Sequence, residues 1–453
     1  MTLFDLLELG RRALQAHQAA VQTAGHNVAN AQTPGFSRQR VELIQSPPET
    51  LPAGQLGTGV SLEGLRRLRD QFLDLQFRRA ASSLGEAEVE EASSRRVQSL
   101  LDEPSDRGVG FALSRFFSSL QELSTDPPDP TARFGVRESG LTLASTFRRL
   151  DSELERLKGD LEEEITLRVQ DVNQLARRIA DLNRQIRGLE AGGASANDLK
   201  DQRDRLVDDL SRLVGLSTLE HPDGTLQVTV AGGILLVEGV DATALAVERS
   251  PTDTVQVTLS GSPITVTGGK LKGLLSGRND LVLSLQAQLN SLAERLIEEV
   301  NALHRQGYGL DGATGRDFFT GTDAGTMDVA QDIQADPRKI AAAATPTPGD
   351  NGNALALARL RQQLTMNGET ATFEGFFGAL VGEMGLKTQT AGRLVTTHRA
   401  MVDALTNRRE EVSGVSVDEE LTHLIEHQRV YEALAHFVRV VDRLLETLIS
   451  QLG

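Results

Sequence analysis

From Val415 to Leu452 the chain runs 38 residues without a glycine or a proline. As a helix that segment spans about 57 Å. Ser416 followed three residues later by Glu419 is a capping box, and Asp418, Glu419 and Glu420 set negative charge against the positive end of the helix dipole. Beyond the cap, Leu421, Leu424, Gln428, Tyr431, Ala435, Val438, Asp442, Leu445, Ile449 and Leu452 step by threes and fours. Ile425, Val441, Leu444 and Leu448 widen this stripe. A helix apolar over more than one seam packs on more than one neighbour.

The other end of the chain carries a matching pattern. Leu3, Leu7, Leu14, Val21 and Val28 mark a heptad seam whose gaps hold Gly10, His17 and Ala24. Pro34 stops that helix and drives Thr33 out of the α region. Pro34-Gly35 suits the two central positions of a type II turn, where glycine supplies the positive φ. Asn27 and Asn30 precede the turn; they either cap the helix or bond a neighbouring subunit's backbone, and the cap is the expectation. Val41 and Leu43 then alternate with polar residues as a short strand or extended arm. The two heptad ends are natural partners. A lone helix pair leaves much of its surface in water, so little burial offsets the entropy of ordering it. Two readings stay open: an ordinary coiled coil within one chain, or ends that become ordered only among copies.

Between the ends the periodicity is mostly helical, over about 65–103, 110–124, 131–190 and 197–214. The longest stretch is marked by Leu150, Leu154, Leu157, Leu161, Ile165, Val169, Val172 and their continuation to Leu189. From Leu216 the period falls to two. Leu226–Val230, Ile234–Val237, Val255–Leu259 and Ile264–Val266 read as strands separated by Asp223-Gly224 and Gly232-Gly233 turns. Helix resumes near 278, loops with short strands fill 307–350, and helices follow near 352–364 and 373–411. The expected fold is mainly α with an inserted small β domain: an elongated, nested multidomain rod whose terminal helices pair as a coiled coil. The expected domains are 1–64 with 415–453, a long-helix bundle of 65–216 with 271–414, and the β insert 217–270.

Composition narrows the function. Lys and Arg number 47 against 63 Asp and Glu, a net charge of −16. This argues against nucleic acid and against an anionic membrane surface as partners. With no cysteine, disulfide scaffolds, Cys–zinc modules and thiol catalysis are excluded. The first residues lack the basic n-region of a secretory signal, and Asp5 and Glu8 break their apolar stretch. His423-Leu424-Ile425-Glu426-His427 spells an inverzincin-like pattern, but no further ligand signature follows it. Gly268-Gly269-Lys270 lacks the flanking residues of a phosphate loop, and Asp311–Asp317 lacks the alternation of a calcium loop. No catalytic, cofactor or metal residue is expected.

Leu14-x-Ala16-x-x-Ala19 leading into Gly25-His26-Asn27-Val28-Ala29-Asn30-Ala31-Gln32-Thr33-Pro34-Gly35-Phe36-Ser37-Arg38 resembles the N-terminal signature of bacterial flagellar axial proteins. Ala324–Val329 with Asp336–Ala341, Gly349–Ala358, and Ser413–Leu421 continuing through Gln428 and Tyr431-Glu432-Ala433 resemble the hook-associated branch of that superfamily. The likeness runs from end to end, with Phe36 where tyrosine is common. It implies a structural protein at the hook–filament junction, exported through the flagellar type III apparatus to the cell exterior. Its implied partners are copies of itself in a ring, the hook protein, the third hook-associated protein, and a cytosolic export chaperone on the C-terminal helix. The terminal helices would form the inner tube.

Overall fold

The computed structural model describes residues 3–51, 54–101, 105–347 and 349–452. The chain starts with α1 (Leu3–Asn30) and a β ribbon. In the ribbon β1 (Gln39–Gln45) pairs antiparallel with β4 (Val60–Arg67), and β2 (Glu49–Leu51) with β3 (Gly54–Leu56). Four helices follow: α2 (Gln71–Leu101), α3 (Val109–Leu123), α4 (Pro130–Ala191) and α5 (Asn197–Leu213). The strands β5 (Leu216–Glu220), β6 (Leu226–Val230), β7 (Ile234–Glu238) and β8 (Asp241–Ala242) form one meander. A second meander holds β9 (Leu245–Arg249), β10 (Val255–Leu259) and β11 (Ser262–Ile264). The chain returns through α6 (Gly269–Leu275), a π-helical segment at Ser276–Val282, and α7 (Leu283–His304). Next come the short β12 (Phe319–Thr320), β13 (Asp328–Val329), α8 (Gln331–Ala335) and α9 (Gly352–Arg359). The long α10 (Phe373–Ser413) and α11 (Val417–Leu452) close the chain.

Helix α4 is the spine. Asp129 caps it, its carboxylate accepting from Thr131 N at 3.0 Å and Ala132 N at 3.1 Å, with Pro130 in the first turn. Leu143, Phe147, Leu150, Leu154, Leu161, Ile165 and Val172 line its buried face. Both small sheets join the same core through Val228, Val237, Leu245 and Val257. The β segment expected over 217–270 thus forms two sheets laid on α4, sharing the core of the helical body.

One side-chain device docks the strands. Asn183 on α4 donates to Leu226 O (2.8 Å) and accepts from Leu226 N (3.0 Å). Asn173 does the same with Leu245, Asn279 of the π-helical segment with Val255, and Asn301 of α7 with Phe319. In each case the carboxamide imitates a neighbouring strand and satisfies an N–H and a C=O that a docked edge would otherwise bury unpaired.

The strand expected at Ile264–Val266 lies at Ser262–Ile264, and two helix starts also differ from the sequence expectation. The helix expected from 65 starts at Gln71, because the preceding residues to Arg67 pair with β1. The helix expected from 278 starts at Gly269, behind Gly215, where an added Cβ would stand 1.4 Å from Thr267 O.

At the end of α7, His304 is fully buried and neutral. Its Nε2 accepts from Ala341 N (2.9 Å), so Nδ1 donates to Arg316 O (2.8 Å). Burial pushes its pKa down to about 4, against an opposing pull from Arg316 O. Between about 6.5 and about 4 the unfolded chain therefore takes up a proton that the folded chain refuses. Stability is full above about 6.5 and falls by up to about 3 kcal/mol as the pH drops through this window. Denaturant midpoints between about pH 7 and pH 4.5 should show the slope in the wild type and a flatter one in His304→Gln.

Candidate functional site

The two chain ends meet. Helix α1 packs along α11, and also lies against β1 and β4. Its buried face consists of Gly10, Ala13, Ala16, Ala20, Thr23, Ala24 and Asn27; Gly10 and Ala24 belong to the expected seam, and the other five lie one position round from it. Leu3, Leu7, Leu14, Val21 and Val28 are half-buried on the flanks instead. The small residues let the backbones approach: a Cβ on Gly10 would stand 2.6 Å from Val438 Cγ2. Leucines in the same place would hold the helices apart.

On α11, Glu420 and Val441 are buried. Leu424, Val438 and Leu445 are half-buried, whereas Leu421, Tyr431 and Ile449 are exposed. They share the outward surface with Ile425, Val440, Leu444 and Leu448. The side chain of Leu452 lies outside the described residues. The capping box also resolves differently. Ser416 begins the helix by accepting from Glu420 N through its carbonyl (3.0 Å). Glu419 turns outward to take a hydrogen bond from Arg38 Nη1 (3.0 Å). A cation on a neighbouring element competes successfully for that carboxylate.

The turn after α1 forms as expected. Phe36 N donates to Thr33 O (3.1 Å), with Gly35 at φ +76°. Asn30 stays local, donating to His26 O (3.0 Å) and accepting from Thr33 Oγ1 (3.1 Å), as a residue finishing the helix should. Asn27 does not cap. It is buried and makes the fifth asparagine clasp, donating to Gln39 O (2.8 Å) and accepting from Gln39 N (3.0 Å). Its amide also donates to Glu420 Oε2 (2.9 Å), whose other oxygen accepts from Arg38 Nε (2.6 Å). One side chain thus joins α1, β1 and α11.

Below this junction lies a network that no motif announced. Ser37 donates to Asp201 of α5 through both N and Oγ (2.8 and 2.7 Å), and Gln39 donates to Asp198 (2.7 Å). Asp204, one turn further, accepts from Arg67 (2.9 Å), Arg69 (3.0 Å) and Arg78 (3.3 Å). Arg409 of α10 bridges Asp74 (2.9 Å) and Asp208 (2.8 Å). Burial works to raise the Asp204 carboxyl, but Arg69, Arg67 and Arg78 outweigh it and hold it well below the usual carboxylate range. For Asp201 the balance reverses: burial pushes it up against the opposing pull of Arg67 and Ser37. The available signal was the spacing of Asp198, Asp201, Asp204 and Asp208, which stacks four carboxylates on one helix face.

His423 and His427 sit on α11 with Glu426 3.6 Å from His423 Nδ1. Among the described residues no group of three or more histidine, aspartate or glutamate side chains is placed to hold a metal ion. No described helix is long and apolar enough to cross a membrane.

Two chain ends folded into one arm, tied through a β ribbon to a helical body, define a class. Residues 7–36 match the family model described as flagella basal body rod protein, and residues 393–452 the one described as flagellar basal body rod FlgEFG protein C-terminal. The fold and its arm are those of a flagellar axial protein. Residues 94–319 match the flagellar hook-associated protein FlgK helical domain. A flagellar hook-associated protein 1 of Bacillus subtilis is 32% identical, across 99% of this chain and 98% of its own. One of Salmonella typhimurium is 26% identical, across 98% and 99% respectively. The solved flagellar hook junction protein FlgK of Burkholderia pseudomallei shares the fold, with a TM-score of 0.68 and 19% identity, over 75% of this chain and 100% of its own. The chain belongs to the flagellar hook-associated protein 1 family.

Proposed function

We propose that this chain is a non-enzymatic structural subunit that self-assembles on the distal end of the hook and connects it to the filament through its bundled terminal helices. Copies stand in a ring, with hook protein on one side and the third hook-associated protein on the other. The subunit is secreted to the cell exterior through the flagellar export apparatus, and a cytosolic chaperone holds α11 before export.

One observation carries this reading. With α1 packed along α11, Leu421, Ile425, Val440, Leu444, Leu448 and Ile449 remain exposed on that helix. A monomer gains nothing from so many large apolar side chains left in water, and such exposure marks a surface that a partner covers. Packed copies would bury it. The Asn27 clasp and the ties of Ser37 and Gln39 to α5 hold the arm at a defined place on the body, so every copy presents these side chains alike.

Leu444→Asp should separate assembly from folding, because Leu444 is 51% exposed. The expected result is an unchanged denaturant midpoint, no labelled chain at the base of the filament, and non-motile cells. Normal motility with label at the hook–filament junction would reject the reading.

A further inference from the structure

Near the middle of the thin α1–α11 seam, two imidazoles face each other. His17 Nδ1 and His427 Nδ1 are 3.2 Å apart, with ring centroids at 5.4 Å and planes inclined by 48°. Both rings are half-buried. At that distance one Nδ1 must carry a hydrogen and the other a lone pair. The contact bridges opposite ends of the chain, 410 residues apart. Around it the seam is built of glycine and alanine, so little apolar burial stands behind the hydrogen bond.

We propose that the His17–His427 contact is a protonation-sensitive latch: with at most one proton beyond the neutral pair it closes α1 on α11, and a second proton opens them. The singly charged pair keeps its hydrogen bond, now charge-assisted. The doubly charged pair has no lone pair to accept and sets two like charges against each other. Burial, and then the facing His427, hold His17 below the ordinary imidazole range, with Glu426 pulling the other way.

The surrounding charges do not cancel this. On α11, Glu426 is shared with His423, whose ring stacks 6.5 Å from His427. Across a cleft of about 1020 Å³, β1 and β4 present Arg40, Glu63 and the Glu42–Arg66 ion pair (3.1 Å). Glu419 and Glu420 are engaged by Arg38. The latch belongs to the isolated chain, and stands or falls independently of how copies assemble.

The chain has no cysteine, so two introduced thiols can be labelled cleanly. Spin labels on exposed Gln15→Cys and Arg429→Cys report the separation of the helices in the full chain. At about pH 8 a single narrow distance distribution is expected; at about pH 5 it should broaden to longer distances. His427→Phe and His427→Gln, one filling the space and the other keeping a hydrogen bond without titrating, should stay narrow at about pH 5. An unchanged wild-type distribution in acid overturns the proposal. So does acid opening in both variants to the wild-type extent.

Discussion

Asp204→Ala is expected to lower the stability of the helical body by about 3–5 kcal/mol, the cost of removing one partner from a buried ion network. Three guanidinium groups converge on this carboxylate, from Arg67, Arg69 and Arg78. All four side chains are largely shielded from water, with side-chain exposures of 6–13%. Alanine leaves the cations where they are, since β4, α2 and the chain between them fix their backbones. Each cation keeps one anion, Arg67 with Asp201, Arg69 with Asp74 and Arg78 with Asp208, but Asp74 and Asp208 are shared with Arg409 and Asp201 with Ser37. Guanidinium chloride unfolding followed by circular dichroism measures the loss. A change below about 1 kcal/mol, the range of exposed ion pairs, would show that the corner is hydrated. The acid response has a definite sign. Because the folded carboxyl is held down, its stabilisation is present above the ordinary aspartate value of about 3.9. It is lost only as the pH falls further, through the depressed folded value. The Asp204 corner should therefore outlast the His304 contacts on acidification.

Asn27→Asp is expected to release the terminal arm while leaving the body folded. The substitution barely changes volume, yet it replaces the donor that faces Gln39 O and Glu420 Oε2 by a third acceptor. A buried carboxylate then stands against a buried carboxylate, and the Gln39 carbonyl has lost its partner. Each unsatisfied buried group costs about 1–3 kcal/mol, and more where charge is involved, so the junction should lose about 3 kcal/mol or more. Arg38 relieves only part of this, because it already serves Glu419 and Glu420. Hydrogen exchange locates the effect: amides of α1 and α11 should lose protection, and those of α4 and α7 should keep it. Equal loss in all four helices would place Asn27 in the global fold rather than at a hinge of the arm.

The long helices were legible because their signal is local. Apolar spacing predicts α4 over 131–190 and the structure has Pro130–Ala191; it predicts 373–411 for α10 and the structure has Phe373–Ser413. The Pro34-Gly35 turn was equally readable, since its chemistry lies within four residues. The ribbon strand β4 was not, because its partner β1 begins over twenty residues away and its alternation is broken at Gly64. The clasps left one trace: Asn173, Asn183 and Asn301 are weak helix formers in helix interiors, a cost that asks for a reason. Their strand partners could not be named from that trace.

What the chain's letters settled alone is that both ends are amphipathic helices, that a turn follows the first, and that a helical body with β segments lies between. Those follow from side-chain periods of 3.6 and 2 and from the restricted backbones of proline and glycine. What only tertiary structure decided is which face of α1 meets α11, and that Asn27 reaches Gln39 and Glu420 instead of its own helix end. Several adjoining faces of α1 are apolar, and the closest-packing one wins only once Val438 stands opposite Gly10. Hydrogen bonds spanning up to 410 residues exist only after the helices have met.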